Sequence, residues 1–560
     1  MARRLDAFAR WLHRGWHYLD IDLKWGSIVK RGFRQSQSTL HTWSGLLLGW
    51  VLFIIFVAGT AAYWREPLNR WMRPEAPRVE RPVLAMKAAQ RFLARKAPDA
   101  KTWFITVPTV EGPGTYVFWV PQPNPDAPKG RHRGRRRDTS ALVDATGVPV
   151  ARETRGGDFF YRFHFDLHYM PVIWARWLVG VAAMMMLVAI LTGIVTHKKI
   201  FKDFFTLRRD KGQRSWLDGH NASAVLGLPF HLMITYTGLV TLATMLMPWA
   251  TVANYADSTK LFTTLFPTAG EVVRVGHPAP LVDLEALVRN GERQLGGPIG
   301  FIEVAEPGDA AARITMTGAS RASLSTYGTR VAYDGVTGRL LWRSPPPNGA
   351  VTTYGAMIGL HAGRFGDLTL RWLYFFCGLG GTVMVASGLV LWTVKRREKL
   401  PDPLHPPLGF RIVERLNIAV VAGFPLGCAA FFLANRLLPL ATPDRAEREI
   451  TMLFAAWGSA ALAALVLRPK QSWAALLGAT AIGLMTVIAC DLLVLRPGLG
   501  QWIAVSDWPM ATVDAVLLVL AIGLAWTARR VARHRPRVLK PRAIRTPTNK
   551  ALLAEAVAAE

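Results

Sequence analysis

Long runs of apolar residues dominate the hydrophobic pattern of this chain of 560 residues. Most runs hold about 20 residues, the length of helix that crosses a hydrocarbon core of roughly 30 Å. We therefore expect a mostly α-helical integral membrane protein. The pattern predicts about eight membrane-spanning helices, at 43–64, 172–196, 222–249, 372–394, 418–438, 452–467, 473–495 and 511–527.

Two connections between these runs, 65–169 and 250–370, are too long to be simple loops. Each begins with a helical pattern and continues with short runs that favour strands. Each ends with Asp and Gly between apolar runs, at 141–150 (ALVDATGVPV) and 330–342 (RVAYDGVTGRLLW), which is typical of a hairpin turn. These segments predict two small α+β domains on the same side of the membrane.

The first four spans follow one order twice: a span, a folded connection and a second span. In corresponding spans a histidine precedes a glycine by similar distances: His41 to Gly59 and His220 to Gly238 (18 residues each), His168 to Gly193 (25) and His361 to Gly388 (27). This repetition predicts a duplicated two-helix unit. The last four spans have no histidine, so we interpret them as an appended bundle.

The net charge of +29 resides mostly in every second connection, which places those connections and both termini in the cytoplasm. This distribution argues against nucleic acid as a partner and predicts a multi-pass protein of a bacterial inner membrane. The basic run 131–137 (RHRGRRR) is an exception, either a solvated loop or a region that attracts an anion.

The expected organisation is, in order, a cytoplasmic segment (1–40), span one (41–64), the first periplasmic domain (65–169), span two (170–197), a cytoplasmic loop (198–219), span three (220–249), the second periplasmic domain (250–370), span four (371–394), a cytoplasmic loop (395–416), four further spans (417–528) and a basic cytoplasmic tail (529–560).

Six histidines lie inside or at the ends of the first four spans: His41, His168, His197, His220, His231 and His361. An ionisable residue at membrane depth is costly, which makes it a candidate for function. The topology puts His41 and His220 near the cytoplasmic face, and His168 and His361 near the periplasmic face. Two imidazoles on facing helices can hold one haem iron, so the arrangement predicts two non-covalent b-type haems.

Three histidines, two of these six and His164, leave alternatives open. His197 closes span two and could replace either member of the cytoplasmic pair. His231 follows His220 by 11 residues, about 16 Å along one helix face, and is an axial ligand, a propionate contact or a hydrogen-bonded core residue. His164 precedes His168 by four residues and would point the same way in a continuous helix, so it is an alternative ligand.

Other chemistries fit the histidines less well. Cys377, Cys428 and Cys490 lie in apolar runs, and no C-x-x-C-H motif is present, which argues against disulfides and covalently attached haem. A metal site built only from side chains would need a Cys-His cluster or nearby carboxylates, and a proton relay would need acidic residues in the first four spans.

These residues resemble the PepSY-associated transmembrane family, the iron-regulated membrane proteins that include ferrisiderophore reductases. The resemblance covers about residues 36–400, and the two hairpin endings are similar to the ends of PepSY modules. The matching motifs are 40–45 (LHTWSG), 166–168 (DLH), 193–199 (GIVTHKK) and 359–366 (GLHAGRFG).

The resemblance implies an oxidoreductase that transfers electrons through b-type haems to a ferric siderophore or other ferric chelate in the periplasm and releases Fe(II). The implied axial ligands are His41, His168, His220 and His361, with His197 and His231 as further candidates. No G-x-G-x-x-G fingerprint occurs in the cytoplasmic segments, so a membrane quinol or a separate reductase is the expected electron donor.

Two alternatives come from other classes of protein. One is a haem-free regulator or scaffold of another periplasmic protein, such as a peptidase. The other is a transporter whose substrate passes between the duplicated halves. Both leave the histidines at the ends of the spans unexplained.

Overall fold

A computed structural model of the chain describes residues 32–123, 139–197, 208, 212–255, 258–321, 323–495 and 499–535. Several segments discussed above lie outside these described residues: 1–31 of the predicted cytoplasmic segment, the basic run 131–137, most of the loop 198–219 and the tail from 536 onward.

The first half of the chain begins with two helices that meet at an angle and ends with a long apolar helix. Its elements are α1 (Phe33–Leu47), α2 (Gly49–Ala62), α3 (Arg65–Trp71), α4 (Pro82–Lys96), β1 (Ala100–Thr106), β2 (Thr115–Pro121), β3 (Ser140–Val143), α5 (Gly156–Asp166) and α6 (Val172–Thr196). The axes of α1 and α2 differ by 64°, and the two helices are long and apolar enough to cross a membrane only when they are taken together.

The second half follows a similar order of elements. These are α7 (Gln213–Leu226), α8 (Leu228–Thr241), α9 (Ala243–Leu246), α10 (Trp249–Asn254), α11 (Ser258–Leu265), α12 (Leu284–Leu295), β4 (Ile299–Ala305), β5 (Arg313–Gly318), β6 (Arg330–Asp334), β7 (Leu340–Arg343), α13 (Gly349–Ala362) and α14 (Leu368–Arg397). The chain bends by 67° between α7 and α8. Pro229 in the first turn of α8 has no N–H to continue the helical hydrogen bonds across this bend.

The remaining elements form the appended bundle. They are α15 (Leu408–Asn417), a π-helical turn (Ile418–Ala422), α16 (Gly423–Leu437), α17 (Arg445–Val466), α18 (Pro469–Cys490), a second π-helical turn (Asp491–Leu495), α19 (Leu499–Ala504) and α20 (Trp508–Arg533). In the described chain, six helical runs are long and apolar enough to cross a membrane, and the two bent pairs raise the number to eight. The chain is a multi-pass membrane protein, and the predicted number of spans is confirmed when each bent pair is one span.

The seven described strands form one antiparallel sheet in the order β3-β2-β1-β4-β5-β6-β7. At its centre β1 pairs with β4, so that Thr102 lies opposite Ala305 and Ile105 opposite Ile302. The two connecting segments, which sequence patterns treat as separate units, therefore share one sheet.

The helices α4 and α12 cover one face of this sheet. Side chains on alternate positions of the strands point to that face and are buried, including Trp103, Ile105, Ile302 and Val304. On the opposite face three phenylalanine rings stack across neighbouring strands, with ring centres 4.3 Å apart for Phe104 and Phe118 and 5.8 Å apart for Phe104 and Phe301.

The predicted turn between the last two strands is confirmed. β6 and β7 pair as antiparallel strands. Asp334 accepts hydrogen bonds from the backbone N–H groups of Val336 and Thr337, and these bonds lower the pKa of its carboxyl. Gly338 has φ of +71°, a conformation that favours glycine.

The appended bundle packs against α3 and α5 of the first half. Phe159, Phe160 and Phe163 of α5 share a buried cluster with Phe424 and Phe431 of α16. Polar groups join the same surfaces.

The indole N–H of Trp71 donates to Asp514 Oδ1 at 2.8 Å, and Arg70 forms a buried ion pair with Asp507 at 2.5 Å. The guanidinium of Arg436 lies 3.8 Å from the centre of a Trp71 ring. These contacts fix the bundle to the elements around α5.

Candidate functional site

Four histidines meet as two pairs, each with one member from either half of the chain. The ring centres of His41 and His220 are 6.3 Å apart, and those of His164 and His361 are 6.0 Å apart. We call the first the inner pair and the second the outer pair. Two of the expected partners, His41 and His220, are thus brought together, whereas His361 has His164 opposite it.

The four imidazoles share one hydrogen-bonding arrangement, in which Nδ1 contacts a backbone carbonyl oxygen of a neighbouring helix. The contacts are His41 with Ala189 (2.7 Å), His220 with Met384 (2.9 Å), His164 with Ile55 (2.8 Å) and His361 with Ile234 (2.9 Å). A carbonyl oxygen only accepts, so Nδ1 must carry the proton and Nε2 keeps a free lone pair. This is the tautomer that binds a metal through Nε2.

A glycine stands four residues after each of these carbonyls, on the same helix face one turn further along. A Cβ on these glycines would press against the imidazole, at 3.2 Å for Gly193 and His41, 3.1 Å for Gly388 and His220, 2.7 Å for Gly59 and His164, and 2.8 Å for Gly238 and His361. The sequence pattern shows these glycines, but only as markers of a repeat. The structure shows that each one makes room for the histidine of another helix.

The spacing within each pair fits two imidazoles on one metal ion. A bond of about 2 Å from metal to nitrogen on each side, plus about 1.2 Å from nitrogen to ring centre, separates the ring centres by about 6.4 Å. In the described parts of the chain, no three His, Cys, Asp or Glu side chains gather as a metal site. A metal ion held between the two imidazoles of one pair would therefore need its other ligands from a bound group. In haem, four pyrrole nitrogens already coordinate the iron.

The two pairs lie at different depths along the helices. Tyr374 donates its hydroxyl to Leu360 O at 2.9 Å, directly beside His361. Met384, which receives His220, follows Tyr374 on α14 by ten residues, about 15 Å along a helix. The pairs therefore form two sites in series.

The sheet covers one end of the first four spans, the end at which the outer pair lies. Glu111, between β1 and β2, pairs with Arg371 of α14 at 3.0 Å. The carbonyl of Leu324, between β5 and β6, lies so close to α13 that a Cβ on Gly359 would stand 1.7 Å from its oxygen. The outer pair is therefore the one next to the sheet.

His168 lies outside both pairs. Its Nε2 is 3.1 Å from Glu447 Oε1, and its ring stacks on Phe454 of the appended bundle. The helix α5 ends at Asp166, and Leu167 takes a left-handed conformation with φ of +42°. The chain therefore turns between His164 and His168, and only His164 faces His361.

His197 ends α6, and its backbone N–H donates to Gly193 O at 3.1 Å. It thus lies one helical turn beyond the glycine that contacts His41. The structure leaves it beside the inner pair, whose two facing rings are His41 and His220.

His231 is 1% exposed, and its Nε2 lies 3.1 Å from Cys377 O. Its Nδ1 has no hydrogen-bond partner in the described chain. The expectation that His220 and His231 share one helix face is wrong, because the chain bends at Gly227 between them. His231 is a buried residue apart from both pairs.

Comparison with known proteins decides the family. A family model described as the PepSY-associated TM region matches residues 38–395. The chain belongs to this family. The match contains both pairs of this PepSY-associated protein and ends before α15, so the appended bundle lies outside it. An uncharacterized protein of Pseudomonas aeruginosa is 28% identical over 382 residues, which cover 64% of this chain and 91% of that protein.

Proposed function

We propose that this PepSY-associated membrane protein is a ferric-chelate reductase, which carries electrons across a bacterial inner membrane to a ferric siderophore or similar chelate in the periplasm. The observation that supports it most is the pair of facing imidazoles, built twice with the same carbonyl and glycine contacts. We further propose that the first four spans arose by duplication of a two-helix unit, each with a PepSY-like segment in the shared sheet.

The residues of both pairs fit b-type haem. Bound haem supplies an iron that gains and loses one electron. His41 and His220 would hold one haem and His164 and His361 the other, each through Nε2. The Nδ1 hydrogen bond fixes the plane of each ring and makes Nε2 a stronger donor to a metal.

The proposed direction of transfer follows from charge and from the sheet. The basic connections favour the cytoplasm for both termini, and this topology would put the sheet in the periplasm. The inner pair is then the entry site for electrons, and the outer pair, beneath the sheet, is the exit site.

The overall reaction balances with a membrane quinol as donor. One quinol gives up two electrons and two protons and becomes a quinone, and two ferric chelates each take one electron. The oxygen ligands of siderophores favour ferric iron, so the ferrous product is held more weakly and exchanges. A separate reductase could replace the quinol without changing the roles of the histidines.

Visible spectroscopy of the purified full-length protein tests this proposal. Protein from haem-replete cells should show b-type Soret and α bands that sharpen on addition of dithionite, with two haems per chain. A ferric siderophore, but not its iron-free form, should reoxidise the reduced protein and yield Fe(II). Absence of the b-type bands would overturn the proposal.

A further inference from the structure

Tyr161 and Arg364 flank the outer pair, and each follows or precedes one of its two histidines by three residues. Tyr161 precedes His164 by three residues, so the two side chains are neighbours on the surface of α5. Arg364 follows His361 by three residues and lies next to Gly363, the C-cap residue of α13. The guanidinium carbon of Arg364 lies 5.4 Å from the centre of the Tyr161 ring. A cation and a phenol therefore meet within one turn of both histidines.

The donors of these two groups are not used by other side chains. Arg65 also lies over the Tyr161 ring, at 4.6 Å, but it forms an ion pair with Asp158. Within the described residues, Arg364 has no carboxylate within salt-bridge distance, and neither its guanidinium nor the Tyr161 hydroxyl has a hydrogen-bond partner. Both side chains are only partly buried, so a ligand can reach them.

Glu66 lies close enough for the Arg364 guanidinium to act on its carboxyl. Burial raises the pKa of this carboxyl and Asp158 raises it further, although Arg65, Arg321 and Arg364 act in the opposite direction. Within the described residues Glu66 forms no ion pair with Arg364, so the charge of this guanidinium is available to an incoming anion.

We infer that Arg364 and Tyr161 form a carboxylate-binding site beside the outer pair. A guanidinium offers two parallel N–H groups to the oxygens of a carboxylate, and the phenol adds an O–H donor. The carboxylate has two sources: a propionate of the outer haem, or an acidic group of the ferric chelate. Both sources rest on the proposed function.

Variants of the full-length protein separate the two sources. Arg364→Gln removes the charge, and Tyr161→Phe keeps the ring but removes the hydroxyl. If the site holds a propionate, Arg364→Gln should lower the midpoint potential of the outer haem, because an uncompensated propionate favours ferric iron. The expected change is about tenfold in the reduced-to-oxidised ratio, or about 59 mV for one electron. Affinity for ferric citrate should then stay unchanged.

If the site holds a carboxylate of the chelate, the potential should stay unchanged. Affinity for ferric citrate, followed by tryptophan fluorescence, should instead fall about tenfold. Affinity for a ferric trihydroxamate without carboxylates should not fall. This binding assay needs no haem, so it still tests the site if spectroscopy refutes the proposed function.

Arg162→Gln is the matched control. Arg162 lies on the same helix, its side chain is 66% exposed, and its ion pair with Asp166 is long, at 3.9 Å. Arg364→Lys should restore the charge and most of the potential or affinity. If Arg364→Gln and Tyr161→Phe both match the control in potential and in citrate affinity, the inference is wrong.

Discussion

His164 lies directly on Gly59: a Cβ at position 59 would stand 2.7 Å from both Cε1 and Nδ1 of its ring. The outer pair therefore depends on the absence of a side chain on another helix.

Gly59→Val should displace the His164 ring and remove about half of the bound haem, as measured by the pyridine haemochrome assay per chain. Gly193→Ala, where the closest ring atom is 3.2 Å away, should have a smaller effect on the inner haem. Gly380→Ala is the control, since a Cβ there meets nothing within 4 Å. Full haem content in Gly59→Val would contradict the proposed packing.

Separate substitutions of His164 and His168 test which of them is the partner of His361. The geometry predicts His164, and the sequence predicts His168. His164→Ala should lose one haem per chain, because its partner His361 then lacks an opposing imidazole. His168→Ala should keep both haems, because its ring contacts Glu447 and Phe454 rather than His361. The opposite result, one haem lost only in His168→Ala, would restore the expectation from the sequence.

His231→Leu should also retain two haems. Among the described residues no imidazole faces this ring, and its Nε2 is already close to Cys377 O. The substitution removes a buried Nδ1 without a partner, a group that costs about 1–3 kcal/mol. We therefore expect unchanged haem content and an equal or higher melting temperature in detergent. Loss of one haem would make His231 an axial ligand.

The ion pair of Arg70 with Asp507 should be important for the attachment of the appended bundle. Both side chains are nearly inaccessible, so Asp507→Ala leaves a buried charge and should lower stability by about 3–5 kcal/mol. Thermal unfolding in detergent measures this loss. Arg70→Met with Asp507→Leu should be less damaging than Asp507→Ala alone. Arg162→Ala, at an exposed pair, should cost less than about 1 kcal/mol.

The sequence predicts the spans well because their apolar length is a local property, and it singles out His41, His220 and His361 because the spacing of histidine and glycine recurs. It cannot choose between His164 and His168. His361 precedes Gly388 by 27 residues, whereas Gly193 follows His164 by 29 (193 − 164) and His168 by 25 (193 − 168). Both distances differ from 27 by two.

The choice between these histidines is made by long-range contacts. The left-handed turn at Leu167 and the contact with Glu447 carry His168 towards the appended bundle. The pairing of β1 with β4 is equally hidden from hydrophobic periodicity, because it depends on packing between distant segments. The bend at Gly227 has a local signal in Pro229, but hydrophobic periodicity does not register it.

The pairing of β1 with β4 also constrains the biogenesis of the protein. β4 begins 199 residues after β1 (299 − 100), and the spans α6 and α7–α8 lie between them. During synthesis β1 cannot pair with β4 until those spans are inserted and the second segment has emerged on the same side of the membrane. Until then one edge of β1 is unpaired. An unpaired strand edge is a template for wrong association. A truncated gene that stops after the first half would therefore produce an aggregation-prone fragment, whereas two half-genes expressed together could complement each other.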